Sequence, residues 1–268
     1  MKLLGRYVLL LGVFALTIGP FLWQLSTSLK GPGEDVYRPD FVPSDPTLAN
    51  YAGVAEVVPV WTFAANSLLV ALVNVVCNCL GAAMAGYALA RLKFRGRRLA
   101  GLVFAASILV PFETILISLF LVMRSLGLTN TLTAVVLPGS IAALNVLLLR
   151  NAFLALPGEV EEAAIIDGAN AWQRFVRIAL PSVRGTLVVV ALFSFMFSWD
   201  DFLWPLVVLS DPDKYTLTIG LAYLQGTFFQ NQRLVAAGTI IAVAPLILLF
   251  LLLQKHFFRG VGEGALKG

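Results

Sequence analysis

Charged side chains are scarce in this sequence of 268 residues. Asp, Glu, Lys and Arg together make up 13% of it, while 59% of the residues are apolar. A soluble globular domain contains roughly 25% charged residues. The scarcity of charge excludes an ordinary water-soluble domain and indicates a chain that lies within a lipid bilayer.

Histidine and cysteine are also rare, so no metal site is predicted. The chain has one histidine, His256, at the end of the last apolar run, and two cysteines, Cys77 and Cys79. Residues two apart on a helix point to different sides, so we expect the cysteines to pack rather than to pair or bind metal. We expect His256 to lie at the membrane interface rather than in a catalytic site.

Nucleotide-binding and catalytic motifs are absent as well. No phosphate loop of the form G-x-x-x-x-G-K-[ST] occurs, and "GVGEGALKG" near the C-terminus does not approximate one. The sequence also lacks His-Glu-x-x-His, Cys-x-x-Cys and a nucleophile elbow. It therefore predicts a protein that is not an enzyme, and any ATP that drives it must bind to another chain.

Long apolar runs are what the sequence has in abundance. A helix of about 20 apolar residues crosses the roughly 30 Å of hydrocarbon, and none of the runs alternates as barrel strands do. We expect an all-α integral membrane protein, with residues 1–268 forming a single transmembrane domain of six helices. The predicted spans are approximately 7–28, 66–90, 101–123, 132–149, 186–209 and 235–257. The first run is too long for a cleaved signal and lacks a small-x-small cleavage site, so we expect it to be retained.

The loops between these spans differ in positive charge. With six spans, fourteen of the nineteen Lys and Arg residues fall on one side, including those of the turn "ARLKFRGRR" after the second span. Basic residues are retained in the cytoplasm, so we expect both termini and a long loop at 150–185 to be cytoplasmic. The basic turn is expected to anchor the topology and to meet anionic lipid headgroups, not nucleic acid.

Two long loops lie on the other side. The first, "KGPGEDVYRPDFVPSDPTLANYAGVAEVVPV", is rich in proline, acidic and aromatic residues and is long enough to form a docking surface. The second, at about 210–234, mixes glycine and aromatic residues with few charges. We therefore expect it to fold back against the protein.

The cytoplasmic loop carries the signals of two short helices. Pro157 and Gly158 interrupt the preceding run, and three glutamates follow in the first turn of a predicted helix, where the helix dipole favours acidic residues. Gly168 suits the position just past the end of that helix. Asn170 suits the N-cap of a second helix, which we expect Pro181 to close.

The first of these predicted helices carries small residues, Ala163 and Ala164, which let another backbone approach closely. An isolated helix of fewer than about 12 residues is rarely stable by itself, so this one needs a docking partner or a groove. The residues alone leave two alternatives open. The segment either docks on another protein or packs as an interfacial helix on its own chain.

A family resemblance appears at this segment. "EAAIIDGANAWQRFVRIALP", from Glu162 to Pro181, resembles the EAA loop of the membrane subunits of bacterial ABC importers. The pattern of that loop is EAA, three variable residues, G, nine variable residues and I-x-LP. Every specified position matches: Glu162, Ala163, Ala164, Gly168, Ile178, Leu180 and Pro181.

The resemblance extends along nearly the whole chain to carbohydrate-importer permeases of the maltose type. "FVPSDPTLANY", "AGYALARLKFRGRR", "FSWDDFLWPLVVLSDPDKYTLTIGL" and "QKHFFRGVGEGALKG" are similar to landmarks of that subfamily. This implies a type I importer core in the plasma (inner) membrane of a bacterium or archaeon. The implied partners are a second homologous permease subunit, a cytoplasmic ABC ATPase dimer that binds ATP and Mg²⁺, an extracytoplasmic solute-binding protein and a sugar substrate.

In that family the EAA loop forms a coupling helix that sits in a cleft of the ATPase. When the ATPase pair closes on ATP, the helix moves and the spans switch from inward-open to outward-open. The loop between the last two spans, about 209–233 here, reaches into the docked binding protein. The ATPase-coupling residues implied for this chain are Glu162, Ala163, Ala164, Asp167 and Gly168.

Carboxylates within the apolar runs are candidates for the substrate pathway, because a charge in hydrocarbon usually faces a cavity or a partner. Glu113 lies about halfway along the third run. Asp200 and Asp201 lie in the outer part of the fifth run, beside Trp199 and Trp204. Aromatic rings next to carboxylates suit sugars. An ion pair that holds two permease chains together is the alternative.

A stripe of small and polar residues marks the second run. Asn74, Asn78, Gly81 and Ala85 are spaced to share one helix face, which favours helix packing over substrate binding.

A self-sufficient secondary transporter is the alternative to an importer subunit. Such a carrier is expected to show paired repeats and broken helices, and the sequence contains no convincing internal repeat. The sequence does not predict which sugar or sugar derivative is carried.

Overall fold

Helices make up almost all of the regular structure in the described part of the chain. The computed structural model describes residues 2–38, 40–226 and 231–265, and the side chains of residues 5–38, 40–224, 226 and 231–254. Within these ranges the only pairing of extended residues is an isolated antiparallel bridge between Lys30 and Pro46. The expected all-helical class is therefore confirmed. The side chain of His256 lies outside the described residues.

The helices follow one another with mostly short connections. They are α1 (Lys2–Leu29), α2 (Ala49–Val57), α3 (Val60–Cys77), α4 (Ala83–Arg91), α5 (Arg97–Ser107), α6 (Phe112–Ser125), α7 (Leu132–Gly139), α8 (Ala143–Leu154), α9 (Gly158–Ile166), α10 (Ala171–Arg174), α11 (Leu180–Ser182), α12 (Arg184–Asp200), α13 (Leu203–Val208), α14 (Leu217–Ala222) and α15 (Gln232–Ala265). Turns of π-helix join α3 to α4 at Asn78–Ala82 and α10 to α11 at Phe175–Ala179. Single 3₁₀ turns occupy Pro212–Lys214 and Tyr223–Gln225.

Three continuous helical segments are long and apolar enough to cross a bilayer: Gly5–Leu29, Val60–Arg91 and Gln232–Gln254. Three further candidates are pairs of helices with a bend between them. The bends measure 107° between α5 and α6, 42° between α7 and α8, and 79° between Ala171–Ser182 and α12. The described chain therefore has three candidate spans, or up to six if each bent pair counts as one.

The third, fourth and fifth apolar runs are thus broken, where the sequence predicted continuous helices. In the fifth, predicted at 186–209, α12 ends at Asp200 and α13 begins only at Leu203. A proline lies at or just before each of the three bends: Pro111, Pro138 and Pro181. Proline lacks a backbone N–H and clashes with the preceding turn, so it bends or ends a helix. The helix that follows Asn170 ends at Ser182, one residue beyond the proline that was expected to close it.

The chain forms two compact units, residues 1–65 with 216–247 and residues 66–215 with 248–268. In the second unit α4 packs closely on α8. A Cβ added to Gly86 would lie 2.9 Å from the backbone nitrogen of Arg150 and 3.1 Å from the carbonyl oxygen of Val146. This glycine therefore permits the two helices to approach. The core around them contains Ala82, Ala83, Tyr87, Leu89, Ala90, Val146, Leu149, Phe153, Phe175, Ala179, Val183 and Val190.

A buried asparagine satisfies polar groups at the break between α7 and α8. The side-chain NH₂ of Asn78 donates to the carbonyl oxygen of Gly139 over 2.8 Å, and its Oδ1 accepts from the N–H of Ala142 over 2.8 Å. The same Oδ1 accepts from Asn145, which also donates to the Ser194 hydroxyl. An unsatisfied backbone group costs several kcal/mol in hydrocarbon, so this side chain stabilises the break. Asn78 thus serves helix packing, as the polar stripe predicted.

The first unit contains an ordered loop at residues 30–48. Lys30 is 1% exposed, and its ammonium group donates to two backbone carbonyl oxygens of the loop, each over 2.9 Å. The carboxylate of Glu34 accepts from the N–H of Ser44 over 3.0 Å and from the N–H of Asp45 over 2.9 Å. These bonds fix the backbone on both sides of the loop.

The N–H groups of Asp45 and Ser44 hold the pKa of Glu34 below its ordinary value of 4.5. The carboxylate is therefore easier to ionise in the folded chain than in the unfolded one. Its stabilising effect is complete above pH 4.5 and is lost as the pH falls through the lowered pKa.

We predict that Glu34→Gln opens the 30–48 loop at neutral pH, because an amide oxygen accepts hydrogen bonds more weakly than a carboxylate does. Limited proteolysis within the loop should become several-fold faster. In the unaltered chain the same acceleration should appear only in acid, below the lowered pKa. Asp40→Asn is the control, because Asp40 makes an exposed ion pair with Arg38, and such pairs stabilise little. Equal protease sensitivity of the two variants would contradict this account.

Candidate functional site

The turn between α9 and α10 has the geometry that the sequence predicted. Gly168 has a φ of +81°, in the left-handed region that glycine adopts without a steric penalty. Its N–H donates to the carbonyl oxygen of Ile165 over 3.0 Å, and the N–H of Ala169 donates to that of Ala164 over 2.9 Å. These two bonds satisfy carbonyl groups that α9 leaves free at its end. Gly168 thus reverses the chain at the tip of the segment.

A capping box starts α10. The Asn170 side chain accepts from the N–H of Gln173, and the Gln173 side chain accepts from the N–H of Asn170, each over 2.9 Å. The predicted N-cap is therefore confirmed, and its glutamine partner is an addition that the structure supplies. Because α9 ends and α10 begins at capped residues, the tip between them is a short, defined protrusion.

The protrusion presents acidic and apolar side chains together. Glu162, Ala163, Asp167 and Gly168 are exposed, and the neighbouring Ile166 is 86% exposed. A large apolar side chain in water is unfavourable by about 1.5–3 kcal/mol relative to a buried one. This surface therefore has the composition of a protein contact.

Ala164 differs from the other predicted coupling residues. It is buried, with 7% of its surface exposed, and its carbonyl oxygen accepts the bond from Ala169. Its small side chain lies inside the chain rather than at the protrusion. Ala164 thus supports the turn from within, while the other four predicted coupling positions are exposed.

Glu161, one residue before the matched motif, joins α9 to two other elements. Its carboxylate accepts a 2.7 Å hydrogen bond from the Tyr87 hydroxyl and lies 3.4 Å from Nε of both Arg91 and Arg174. The three charged side chains are 16–19% exposed. One carboxylate thus links α9 and α10 to the last turn of α4, and we call the set Tyr87, Arg91, Glu161 and Arg174 the Glu161 junction.

The two arginines of the Glu161 junction also bind backbone carbonyl groups. Arg91 donates from Nε and Nη2 to the carbonyl oxygen of Phe153 over 3.0 and 2.7 Å, and to that of Leu156. Arg174 donates to the carbonyl oxygen of Ala169 over 3.0 Å. Each guanidinium is therefore fixed in place, which is favourable at the end of a helix where carbonyl groups lack partners.

An aromatic cluster packs beneath the Glu161 junction. The ring of Tyr87 lies 5.5 Å from that of Phe153 and 5.2 Å from that of Phe175, measured between centroids. Trp172 lies 5.5 Å from Phe175 on the outer side. Rings at these separations attract one another beyond their burial, by about 0.5–1.5 kcal/mol for a pair. The helix that begins with α10 is therefore held against α4 and α8 by ring packing as well as by charge.

Sequence reasoning placed Glu161 only in the first turn of a helix and missed its partners. A signal for them exists in the second apolar run, where Tyr87 and Arg91 stand four residues apart and so share a helix face. A hydroxyl and a cation on one face at the end of a span require an acceptor. The sequence does not show which of the later carboxylates supplies it.

We predict that Glu161→Gln weakens the attachment of α9 and its turn to the rest of the chain. The change leaves Arg91 and Arg174 half-buried without their carboxylate, at a cost of about 1–3 kcal/mol. Hydrogen exchange within residues 158–170 should rise at least tenfold, and thermal unfolding should occur at a lower temperature. Glu159→Gln is the matched control, since Glu159 is an exposed carboxylate in the same turn. If both variants exchange alike, the Glu161 junction does not hold the segment.

The residues proposed for a substrate pathway divide into exposed acids and packed tryptophans. Glu113 is exposed in the first turn of α6, and Asp200 is exposed at the end of α12. Trp204 is 1% exposed, and its indole N–H donates to the carbonyl oxygen of Ala134 over 2.9 Å. Trp199 is also buried, stacked on a neighbouring phenylalanine at 5.5 Å.

Contacts made by Asp201 and by α13 bring several of the proposed pathway residues close together. The half-buried carboxylate of Asp201 accepts from the N–H of Trp204 over 3.3 Å, at the start of α13. The ring of Phe112 meets that of Trp204 edge to face at 6.1 Å, which places the first turn of α6 next to α13. The structure thus brings Glu113 near the segment that carries Asp201. Among the described residues no cluster of histidine, cysteine and carboxylate side chains could hold a metal ion.

The start of the loop between the last two spans folds back, as predicted. The N–H groups of Ser210 and Asp211 donate to Oδ1 of Asn130 over 3.1 and 3.0 Å. The side chain of Asn66 donates to the carbonyl oxygens of Asp213 and Tyr215. Residues 227–230 of this loop lie outside the described part of the chain.

The chain is similar to a known protein family and to permease proteins of named transport systems. Residues 77–263 match the family of binding-protein-dependent transport system inner membrane components. The chain is 38% identical over 229 residues to the arabinooligosaccharides transport system permease protein of Halalkalibacterium halodurans, covering 85% of this chain and 82% of that protein. It is 33% identical over 252 residues to the sulfoquinovosyl glycerol transport system permease protein of Agrobacterium fabrum, covering 93% and 88%.

A solved structure shows the same fold. The crystal structure of a bacterial ABC transporter involved in the import of the acidic polysaccharide alginate contains a chain that matches with a TM-score of 0.83 and 27% identity. The match covers 96% of this chain and 97% of that one. The chain therefore belongs to the family of binding-protein-dependent transport system inner membrane components, the non-catalytic permease subunits of ABC importers.

Proposed function

We propose that this chain is a membrane-spanning permease subunit of an ATP-driven, binding-protein-dependent sugar importer and forms half of its translocation pathway. The observation that carries the proposal is the exposed protrusion at Gly168, whose sequence matches the EAA pattern and whose surface has the composition of a protein contact. The named cargoes of its relatives, arabinooligosaccharides and sulfoquinovosyl glycerol, support a sugar or sugar derivative as the substrate.

The proposed partners are a second homologous permease subunit, a cytoplasmic ABC ATPase dimer and an extracytoplasmic solute-binding protein. ATP and Mg²⁺ would bind to the ATPase, since this sequence has no phosphate loop. A partner within the membrane is supported by α1, whose apolar side chains from Tyr7 to Leu16 are exposed. The ordered loop at 30–48 is the surface proposed for the solute-binding protein.

The proposed topology has six spans in one transmembrane domain, with both termini and residues 150–185 in the cytoplasm. It counts α5 with α6 and α7 with α8 as one span each, takes α12 as the fifth span, and leaves Ala171–Ser182 in the cytoplasmic loop. The excess of basic residues on one side supports the orientation. The chain is then a multi-pass protein of the plasma (inner) membrane of a bacterium or archaeon.

Within the protrusion the proposed contacts with the ATPase have separate roles. The exposed carboxylates of Glu162 and Asp167 would meet basic groups, while Ala163 and Gly168 would let the ATPase backbone approach. Ala164 would act from beneath by supporting the turn. When the ATPase dimer closes on ATP, it moves α9, and the Glu161 junction passes that displacement to the end of α4.

The test of the proposed function is ATP-dependent uptake of sugar by vesicles that contain this chain and its partners. Uptake should stop when the ATPase is omitted. Uptake that continues without the ATPase would support a self-sufficient secondary transporter instead. Gly168 offers a matched pair of variants for this assay. No atom lies within 4 Å of a Cβ built on it, so a Cβ at this position would not clash and the variants differ in the backbone conformation that they tolerate.

Gly168→Val should reduce uptake at least tenfold while ATP hydrolysis continues, because a β-branched residue strains a φ of +81°. Gly168→Asn should transport nearly normally, since asparagine tolerates the left-handed region. Glu162→Lys, like Gly168→Val, should reduce uptake while ATP hydrolysis continues. Normal uptake with valine at position 168, in a complex that assembles normally, would count against the coupling role.

We propose that Glu113, Trp199, Asp200, Asp201 and Trp204 line or support the substrate path. The exposed carboxylates would accept bonds from sugar hydroxyl groups, while the packed tryptophans would hold α12 and α13 in position. Asp200→Asn and Glu113→Gln should weaken uptake or change the preferred sugar without reducing assembly. Dissociation of the two permease chains in detergent would show an intersubunit ion pair instead.

A further inference from the structure

A cleft with a basic rim opens where α4, α5 and α8 come together. Its volume is about 720 Å³. It lies beside the turn between α4 and α5, away from the protrusion at Gly168. The residues that line it are Leu89, Arg97, Arg98, Gly101, Leu102, Ala105, Leu147, Arg150 and Asn151.

Three arginines and no carboxylate line this cleft. Arg97 is held in place because its guanidinium donates to the carbonyl oxygens of Leu89 over 2.7 Å, Ala90 over 2.9 Å and Leu92 over 3.3 Å. Carbonyl acceptors fix a guanidinium without neutralising its charge. The cleft therefore keeps a positive charge at a defined position.

The other two arginines have no carboxylate partner in the described part of the chain. Arg98 is exposed in the first turn of α5. Arg150 is half-buried near the end of α8, and its guanidinium donates a weak 3.4 Å hydrogen bond to the side-chain oxygen of Asn151. Two guanidinium groups are thus free to bind an anion between α5 and α8.

Apart from Asn151, the rest of the cleft is apolar. Leu89, Leu102, Ala105 and Leu147 continue from the arginines along α4, α5 and α8. Gly101 lies at the centre of this wall, and no atom lies within 4 Å of a Cβ built on it. The glycine leaves room for a ligand between the helices.

A ligand that fits must carry an anionic group at one end and hydrocarbon at the other. The arginines suit a phosphate, since guanidinium groups pair with its oxygens in a fork geometry. The apolar wall suits acyl chains and offers no aromatic ring on which a nucleotide base could stack. Basic pockets between transmembrane helices bind anionic lipid headgroups in other membrane proteins.

We propose that this cleft binds one anionic phospholipid, with its phosphate between Arg98 and Arg150 and its acyl chains along Leu102 and Leu147. The site requires only that α4, α5 and α8 end at a membrane surface, and it does not depend on which solute is transported. The bound lipid bridges α5 and α8, the two helices on either side of the cleft.

The test is native mass spectrometry of the full chain, purified in a neutral detergent and supplied with phosphatidylglycerol or phosphatidylcholine. Retention should favour phosphatidylglycerol. Arg98→Gln and Arg150→Gln should each lower its affinity about fivefold, the effect expected for one basic residue near an anionic surface. Glycerol phosphate, added as a competitor, distinguishes a lipid site from a site for soluble phosphates.

Gly101→Leu supplies a variant that keeps every charge. Leucine is a better helix former than glycine, so the chain should fold, yet its side chain would fill the cleft and abolish retention of phosphatidylglycerol. Arg95→Gln is the control, since Arg95 is an exposed arginine of the same turn that does not line the cleft.

Loss of the lipid in Gly101→Leu and about fivefold weaker binding in each of the two cleft arginine variants, with neither change in Arg95→Gln, support the site. Equal loss in Arg95→Gln, or unchanged retention in Gly101→Leu, would overturn it in favour of diffuse attraction to the basic turn. Equal retention of phosphatidylcholine would also overturn it. Displacement by glycerol phosphate at the same concentration as the lipid would assign the cleft to a soluble phosphate.

Discussion

The hydrogen bond and ion pairs of the Glu161 carboxylate are the interactions on which the packing of α9 and α10 depends. This carboxylate accepts from Tyr87 and attracts Arg91 and Arg174, so the first turn of α9, the last turn of α4 and the end of α10 meet at one group. Arg91 in turn binds the carbonyl groups at the end of α8. A segment that is too short to be stable alone is thereby fixed to two spans. A force applied to the protrusion can reach the membrane domain through this group.

The helix breaks impose a second constraint, because backbone groups at membrane depth must find partners inside the protein. Asn78 supplies them between α7 and α8, and Trp204 binds the carbonyl oxygen of Ala134 within α7. Arg97 does the same at the end of α4. Single polar side chains in an otherwise apolar sequence therefore hydrogen-bond to backbone groups at breaks and helix ends. Bends stabilised in this way provide positions at which the spans can change their angle.

The sequence was sufficient for features that depend on local chemistry. The turn at Gly168 and the cap at Asn170 follow from residue type and spacing, and both are present in the structure. The apolar runs predicted membrane helices, but not that three of them are broken, because a proline can bend a helix, end it or be accommodated. The Glu161 junction could not be predicted, since its partners lie 74, 70 and 13 residues away in the sequence. The buried state of Trp204 likewise depends on which helix packs against it, and hydrophobicity alone does not determine that.

The central claim is that the protrusion between α9 and α10 is the contact through which an ATPase drives this permease. Disulfide or short-linker crosslinking of an Ala163→Cys variant tests it most directly, in a chain whose Cys77 and Cys79 are replaced by serine. Val42→Cys, an exposed position in the 30–48 loop, is the control. The account predicts a crosslink from position 163 to the ATPase that changes in yield when ATP binds, and none from position 42. A folded, assembled complex in which position 163 forms no crosslink to the ATPase would contradict the account.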